Sequence, residues 1–123
     1  MRSKGELEAE ISQAVIRFEK EYMGRGPLET RSYVVDDMIL VRLRNVLTPA
    51  EIKLVQAEDP TRGRDLIKAI RRQLFEQGRS LLEAAVRDIA GVGVKSMHTD
   101  VSTRTGERVI VFSLDGVPVF RPS

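Results

Sequence analysis

His98 is the single histidine of the chain, and Asp100 follows two residues later. Side chains of an extended strand alternate between its faces, so positions two apart share one. An imidazole beside a carboxylate on one face is the pairing used in acid–base chemistry, and it can also begin a metal site. Alternation adds Ser96 and Ser102 to the row, a set too polar for a core and suited either to a solvated sheet face or to the wall of a binding site. Most catalytic metal sites need at least three protein ligands, and the further carboxylates would have to come from Asp36, Asp37 or Glu107 through folding. The same His-x-Asp pattern arises where the two groups simply hydrogen-bond on a sheet surface. The hydroxyls of Ser102, Thr103 and Thr105 have no lysine or second histidine in a recognisable partnering motif. The residues therefore assign no catalytic group, no metal ligand and no cofactor.

The elements that must position these groups follow from periodicity. The run from His98 to Phe112 reads as a β-hairpin turning at Thr105-Gly106, where glycine accepts a positive φ. A first hairpin is expected from Arg31–Val35 and Met38–Leu43, with Asp36-Asp37 as the turn; their short acidic side chains suit a turn better than a cation site. Between Lys4 and Met23 the positions Leu7, Ile11, Ala14, Val15, Phe18 and Tyr22 form one helical stripe, opened by a Ser3/Glu6 capping box and closed by Gly24. Thr48-Pro49-Ala50-Glu51 starts a short helix from Pro49 to about Ala57. After Asp59-Pro60, a long helix is traced by Leu66, Ile67, Ile70, Leu74, Phe75, Leu81, Leu82, Ala85, Val86 and Ile89 up to Gly91. Gly78 in its middle implies a bend or a close contact.

The predicted fold class is α+β: two helix-plus-β-hairpin units forming a four-stranded antiparallel sheet with helices packed on one face. That arrangement buries Ile39, Val41, Leu43, Ile110, Phe112 and Leu114 and turns Met38, Leu40, Val109 and Val111 outward. So apolar an outer face points to a homodimer or other homo-oligomer, or to a ligand groove.

Composition narrows the function classes. The 123 residues suffice for one domain spanning 1–123. Hydrophobic residues make up 41% and charged residues 31%, a globular mix. Aromatics are 5% and the formal net charge is only +2, so neither a base-stacking platform nor a polyanion binder is indicated and no nucleic-acid partner is expected. The basic residues Arg62, Arg64, Lys68, Arg71, Arg72, Arg79 and Arg87 are interleaved with Asp65, Glu76, Glu83 and Asp88, which reads as a solvated mixed-charge face. The chain has no cysteine, and no apolar run approaches a bilayer span or a signal-peptide core, so a cytoplasmic location is expected.

Two stretches taken together are specific: Gly24-Arg-Gly-Pro27 leading into Tyr33-Val-Val-Asp-Asp37 and Leu47-Thr-Pro-Ala-Glu51, then His98-Thr-Asp100 with Ser102-Thr-Arg-Thr-Gly-Glu-Arg108. They resemble the MpsC-like family over nearly the whole chain. The resemblance implies association with a bacterial sodium-translocating, membrane-potential-generating system, also discussed as a bicarbonate or inorganic-carbon uptake system. It implies membrane transport subunits as partners, reached from the cytoplasm, and brings no molecular activity with it. On this reading the chain is a small accessory or regulatory protein acting by binding. Arg25, Tyr33, Asp37, His98, Asp100, Thr105 and Arg108 are the residues expected to line or support the binding surface, with His98 as a hydrogen-bond or charge switch near neutral pH. The rival readings are an enzyme using His98 and Asp100 on an anionic substrate, and an RNA-binding module on the arginine-rich helix.

Overall fold

A computed structural model describes residues 1–122. Its elements run α1 (Lys4–Met23), β1 (Glu29–Val35), β2 (Met38–Arg44), α2 (Pro49–Val55), α3 (Pro60–Ala90), β3 (Val94–Val101) and β4 (Arg108–Leu114). All strand pairs are antiparallel in the order β1-β2-β4-β3, so the two hairpins join through β2 and β4 at the centre of one sheet. The helices cover one face of that sheet, an α+β fold.

The helix boundaries come from local chemistry. The Ser3/Glu6 and Thr48/Glu51 capping boxes both form, satisfying amide donors that a helix start otherwise leaves free. Asp59 caps α3 ahead of Pro60. Gly24 and Gly91 end α1 and α3 in the left-handed region, at φ 79° and 76°, and each leads into a hairpin.

Alternation sorts the strand residues as expected. Ile39, Val41 and Leu43 of β2 and Ile110, Phe112 and Leu114 of β4 are sealed against the helices. On α1 the matching stripe is Leu7, Ile11, Val15 and Phe18. On α3 it is Gly63, Ile67, Arg71, Phe75, Gly78, Leu82, Val86 and Ala90. Gly78 is where the helices touch: a Cβ there would sit 2.5 Å from the Phe18 ring and 2.9 Å from that of Tyr22. Gly63 does the same for α2, because a Cβ would collide with the Leu54 carbonyl.

Four expectations need correction. The second hairpin turns through Thr103–Gly106 instead of tightly at Thr105-Gly106; Ser102 still pairs with Glu107 (2.8 Å), and the Gly106 N–H donates to the Ser102 carbonyl (2.8 Å). Side-chain oxygens stabilise this wider loop, since Ser102 Oγ accepts from the Thr105 amide and Thr105 Oγ1 from the Glu107 amide, while Gly106 keeps its positive φ. Helix α2 stops at Val55, two residues short of Ala57. Leu66, Ile70 and Leu81 are 46%, 52% and 63% exposed, because the single stripe of α3 facing the core runs through Ile67 and Leu82. Arg71 is not on a solvated face but lies in that core stripe, 3% exposed.

Candidate functional site: an open sheet face above a buried ion network

The sheet register lays out the uncovered face row by row. Tyr33 pairs with Leu40, Leu40 with Val111 and Val111 with His98, one row across all four strands. The row on one side is Val35, Met38, Ser113 and Ser96; on the other it is Arg31, Arg42, Val109 and Asp100. The centre is therefore apolar, with Tyr33, Val35 and Met38 each more than a third exposed. Charge gathers at the two ends. Arg31, Arg42, Arg44, Glu29 and Glu107 form one end, tied by the Arg31–Glu29 (2.7 Å) and Arg42–Glu107 (2.8 Å) pairs. The Asp36-Asp37 turn, with Asp36 at φ 54°, forms the other.

The structure distributes the sequence-derived candidates among different roles. Tyr33 and His98 share the central row. His98 Nε2 lies 3.4 Å from Ser96 Oγ, whereas the Asp100 carboxylate is occupied by Lys68 Nζ at 3.2 Å and by the Val101 amide at 2.9 Å. The imidazole and carboxylate thus share a strand face without forming an acid–base dyad. Burial works to raise the Asp100 pKa, but the Val101 amide and the Lys68 ammonium outweigh it and hold the carboxyl below its usual range. Arg25 donates to the Leu47 carbonyl (2.9 Å), fastening the exit of α1 to the segment before α2. Asp37 accepts the Leu114 amide through its main-chain carbonyl, and Thr105 stabilises its own loop; they stand at opposite ends of the sheet. Among the described residues, no three His, Asp or Glu side chains converge as a metal cluster would require.

Arg108 faces inward. It is 2% exposed and meets Glu19 of α1, itself 1% exposed, with Nε 3.2 Å from the carboxylate. Its Nη1 donates to Thr99 Oγ1 (2.9 Å), and its guanidinium stands 5.1 Å from the centre of the Phe75 ring. Beside it, Arg71 grips both oxygens of Glu51 at 2.7 Å and donates to the Val46 carbonyl at 2.7 Å. Glu51 also accepts the Thr48 amide, so one carboxylate caps α2 and anchors it to α3. Burial raises the Glu19 pKa, only partly countered by Arg108 and Arg71, and burial lowers that of Arg108. At Glu51 burial is overcome by the bonds from Arg71 and Thr48, and its pKa is lowered. A cavity of about 50 Å³ opens beside this network, lined by residues of α3 and of the β3–β4 hairpin.

Glu19 escaped the sequence reading, Arg71 was read as part of a solvated face, and Glu51 was identified only as a cap. Glu19 lies four residues after Val15 and Arg71 four after Ile67, while Arg108 alternates with Ile110 and Phe112. Each charge occupies a position where the periodicity of its element demands an apolar side chain. That mismatch was the available signal.

A family model described as Na+-translocating membrane potential-generating system (MpsC) matches residues 3–116. A relative in Bacillus subtilis (strain 168), described as Uncharacterized protein YbcI, is 43% identical over 113 residues, covering 92% of this chain and 89% of its own length. No solved structure matches the chain.

Proposed function

Because the chain belongs to the MpsC family, described as a Na+-translocating membrane potential-generating system, we propose that it serves such a bacterial ion-transport system by binding, as a self-associating accessory or regulatory protein. Family membership supports the context. The uncovered row Tyr33–Leu40–Val111–His98 is the observation that carries the mode of action, because a contiguous apolar patch on a sheet face gains free energy when a partner removes it from water.

The occupant proposed for this face is a second copy of the chain. A two-fold axis parallel to the sheet, between the two copies and perpendicular to the strands, reverses their direction. It would set the arginine end of one copy (three arginines against two glutamates, net +1) over the Asp36-Asp37 end of the other. His98 stands at the margin of the apolar row, where its ring nitrogens offer the interface a polar contact. Tyr33 contributes both ring area and a hydroxyl. Arg25, Asp37, Thr105, Asp100 and Arg108 support the surface by holding its loops, its edge and the layer beneath. The chain works from the cytoplasm and reaches the membrane through transport subunits; among the described residues no helix is long and apolar enough to cross a membrane.

The test is co-purification of the tagged chain from membranes of its own cells, with bound subunits identified by mass spectrometry. Subunits of an ion-translocating complex should be recovered, and recovery should fall with Leu40→Lys. Recovery of no such subunit would remove the functional reading.

A further inference from the structure

We infer that the trough along the outer seam between α1 and α3 is a docking site for an amphipathic helix of a partner protein. This interface is separate from the self-association surface, since no strand residue lines it.

Two hollows of about 440 and 120 Å³ share Ala14, Arg17 and Ala85, so they form one continuous trough. Along α1 it runs from Ala9 to Tyr22, and at a rise of about 1.5 Å per residue that is about 20 Å, the length of a helix of about fourteen residues. Ala9, Ala14 and Ala85 keep the floor low, which lets a third helix axis approach to the usual packing distance of about 8–10 Å. Leu81, on the α3 wall, is 63% exposed, and covering it supplies free energy that the chain alone forgoes.

The backbone sets the form of the occupant. Both walls are helices, whose interior N–H and C=O groups already bond one another and offer nothing to a visitor. An extended segment laid there would give up backbone bonds to water without replacement, whereas a helix arrives with its own satisfied. A small molecule is better served by an enclosed pocket than by an open trough.

Side chains set the polarity. Glu10, at one end, is held by Arg2. Arg17 and Glu21, one turn apart on the α1 wall, take part in no salt bridge among the described residues. Base before acid at this spacing is the weaker order for pairing within a helix, so both remain available. The partner helix therefore carries aliphatic residues at i, i+4, i+7 and i+11, flanked by one acid for Arg17 and one base for Glu21. Mixed signs on the wall disfavour an anionic lipid surface, which is drawn to basic charge alone.

The experiment is an NMR titration of the folded protein with a synthetic peptide of about fourteen residues, built to that pattern from leucine, alanine, glutamine, one glutamate and one lysine. Saturable shifts confined to the amides of α1 between Ala9 and Tyr22 and of α3 between Leu81 and Ile89 are expected, with peptide helicity rising on binding. Leu81→Glu should weaken binding roughly tenfold or more, through loss of buried aliphatic area. Leu66→Glu, exposed on the same helix outside the trough, should leave affinity unchanged. Arg17→Glu should weaken it about two- to fivefold and favour a peptide whose glutamate is replaced by lysine. Shifts linear in concentration, equal weakening by Leu66→Glu, equal binding of a scrambled peptide without the stripe, or an unchanged order of the two peptides on Arg17→Glu would each overturn the assignment.

Discussion

The two faces of the sheet are built from the same four strands yet obey different rules. The covered face packs Ile39, Val41, Leu43, Ile110 and Phe112 against two helices and admits Arg108 at a core position, held by Glu19 and Thr99. The open face carries Tyr33, Leu40 and Val111, each more exposed than the residues of the covered face. On the covered side charge stands where apolar residues belong; on the open side apolar residues stand where charge belongs. Neither departure helps an isolated monomer fold, since ions are costly to bury and exposed aliphatic area gains nothing until it is covered. Departures from the folding pattern are where function is concentrated.

The largest effect should come from breaking the covered side. Arg71→Ala leaves Glu51 without its bidentate partner, and loss of one member of a buried pair costs about 3–5 kcal/mol. Arg79→Ala, which loses the half-exposed contacts to Glu76 and Glu83 and a long bond (3.3 Å) to the Met97 carbonyl, should cost about 1 kcal/mol. Urea unfolding of the two variants checks the contrast, and equal losses would show that the buried pair is not special.

Helix contact comes next. Gly78→Val inserts a branched side chain into the Phe18 and Tyr22 rings and should destabilise by about 1–3 kcal/mol, read as a fall in the urea midpoint. Gly5→Ala, in open space on α1, should be neutral or slightly stabilising.

A smaller, pH-dependent difference separates the buried carboxylate Glu19 from the partly buried Glu51. Glu51 titrates lower in the folded chain than its unfolded value of about 4.3. Its stabilisation is complete above that value and is lost as pH falls through the folded pKa. Glu19 has the opposite sign: its folded pKa is raised, so the folded state holds the proton more tightly, and acidification through that range recovers stability. Stability of Glu51→Gln should therefore fall less on acidification than that of the wild type, as followed by urea unfolding across the acid range. A parallel pair of curves would contradict the assignment.

Much of this architecture was legible because side-chain period and element type agree. The α1 stripe, both capping boxes, the terminal glycines and the inward residues of β2 and β4 all follow from patterns that local sterics and burial enforce together. The second turn was less legible, since its width depends on hydroxyl-to-amide bonds from Ser102 and Thr105 that spacing does not encode. The exposure of Leu66, Ile70 and Leu81 was hidden because these apolar residues fit a helical period as well as their neighbours do, although only the stripe through Ile67, Phe75 and Leu82 faces the core. The placement of His98 on an outer face was readable from alternation. The engagement of Asp100 with Lys68 was not, because it joins residues 32 positions apart on different elements.

Sedimentation equilibrium of the wild type and of Leu40→Lys tests most directly whether the open sheet face is a self-association surface. The wild type should sediment as a concentration-dependent dimer, and Leu40→Lys as a folded monomer with an unchanged circular dichroism spectrum. A wild type that stays monomeric at high concentration, or a Leu40→Lys variant that dimerises undiminished, would contradict the account.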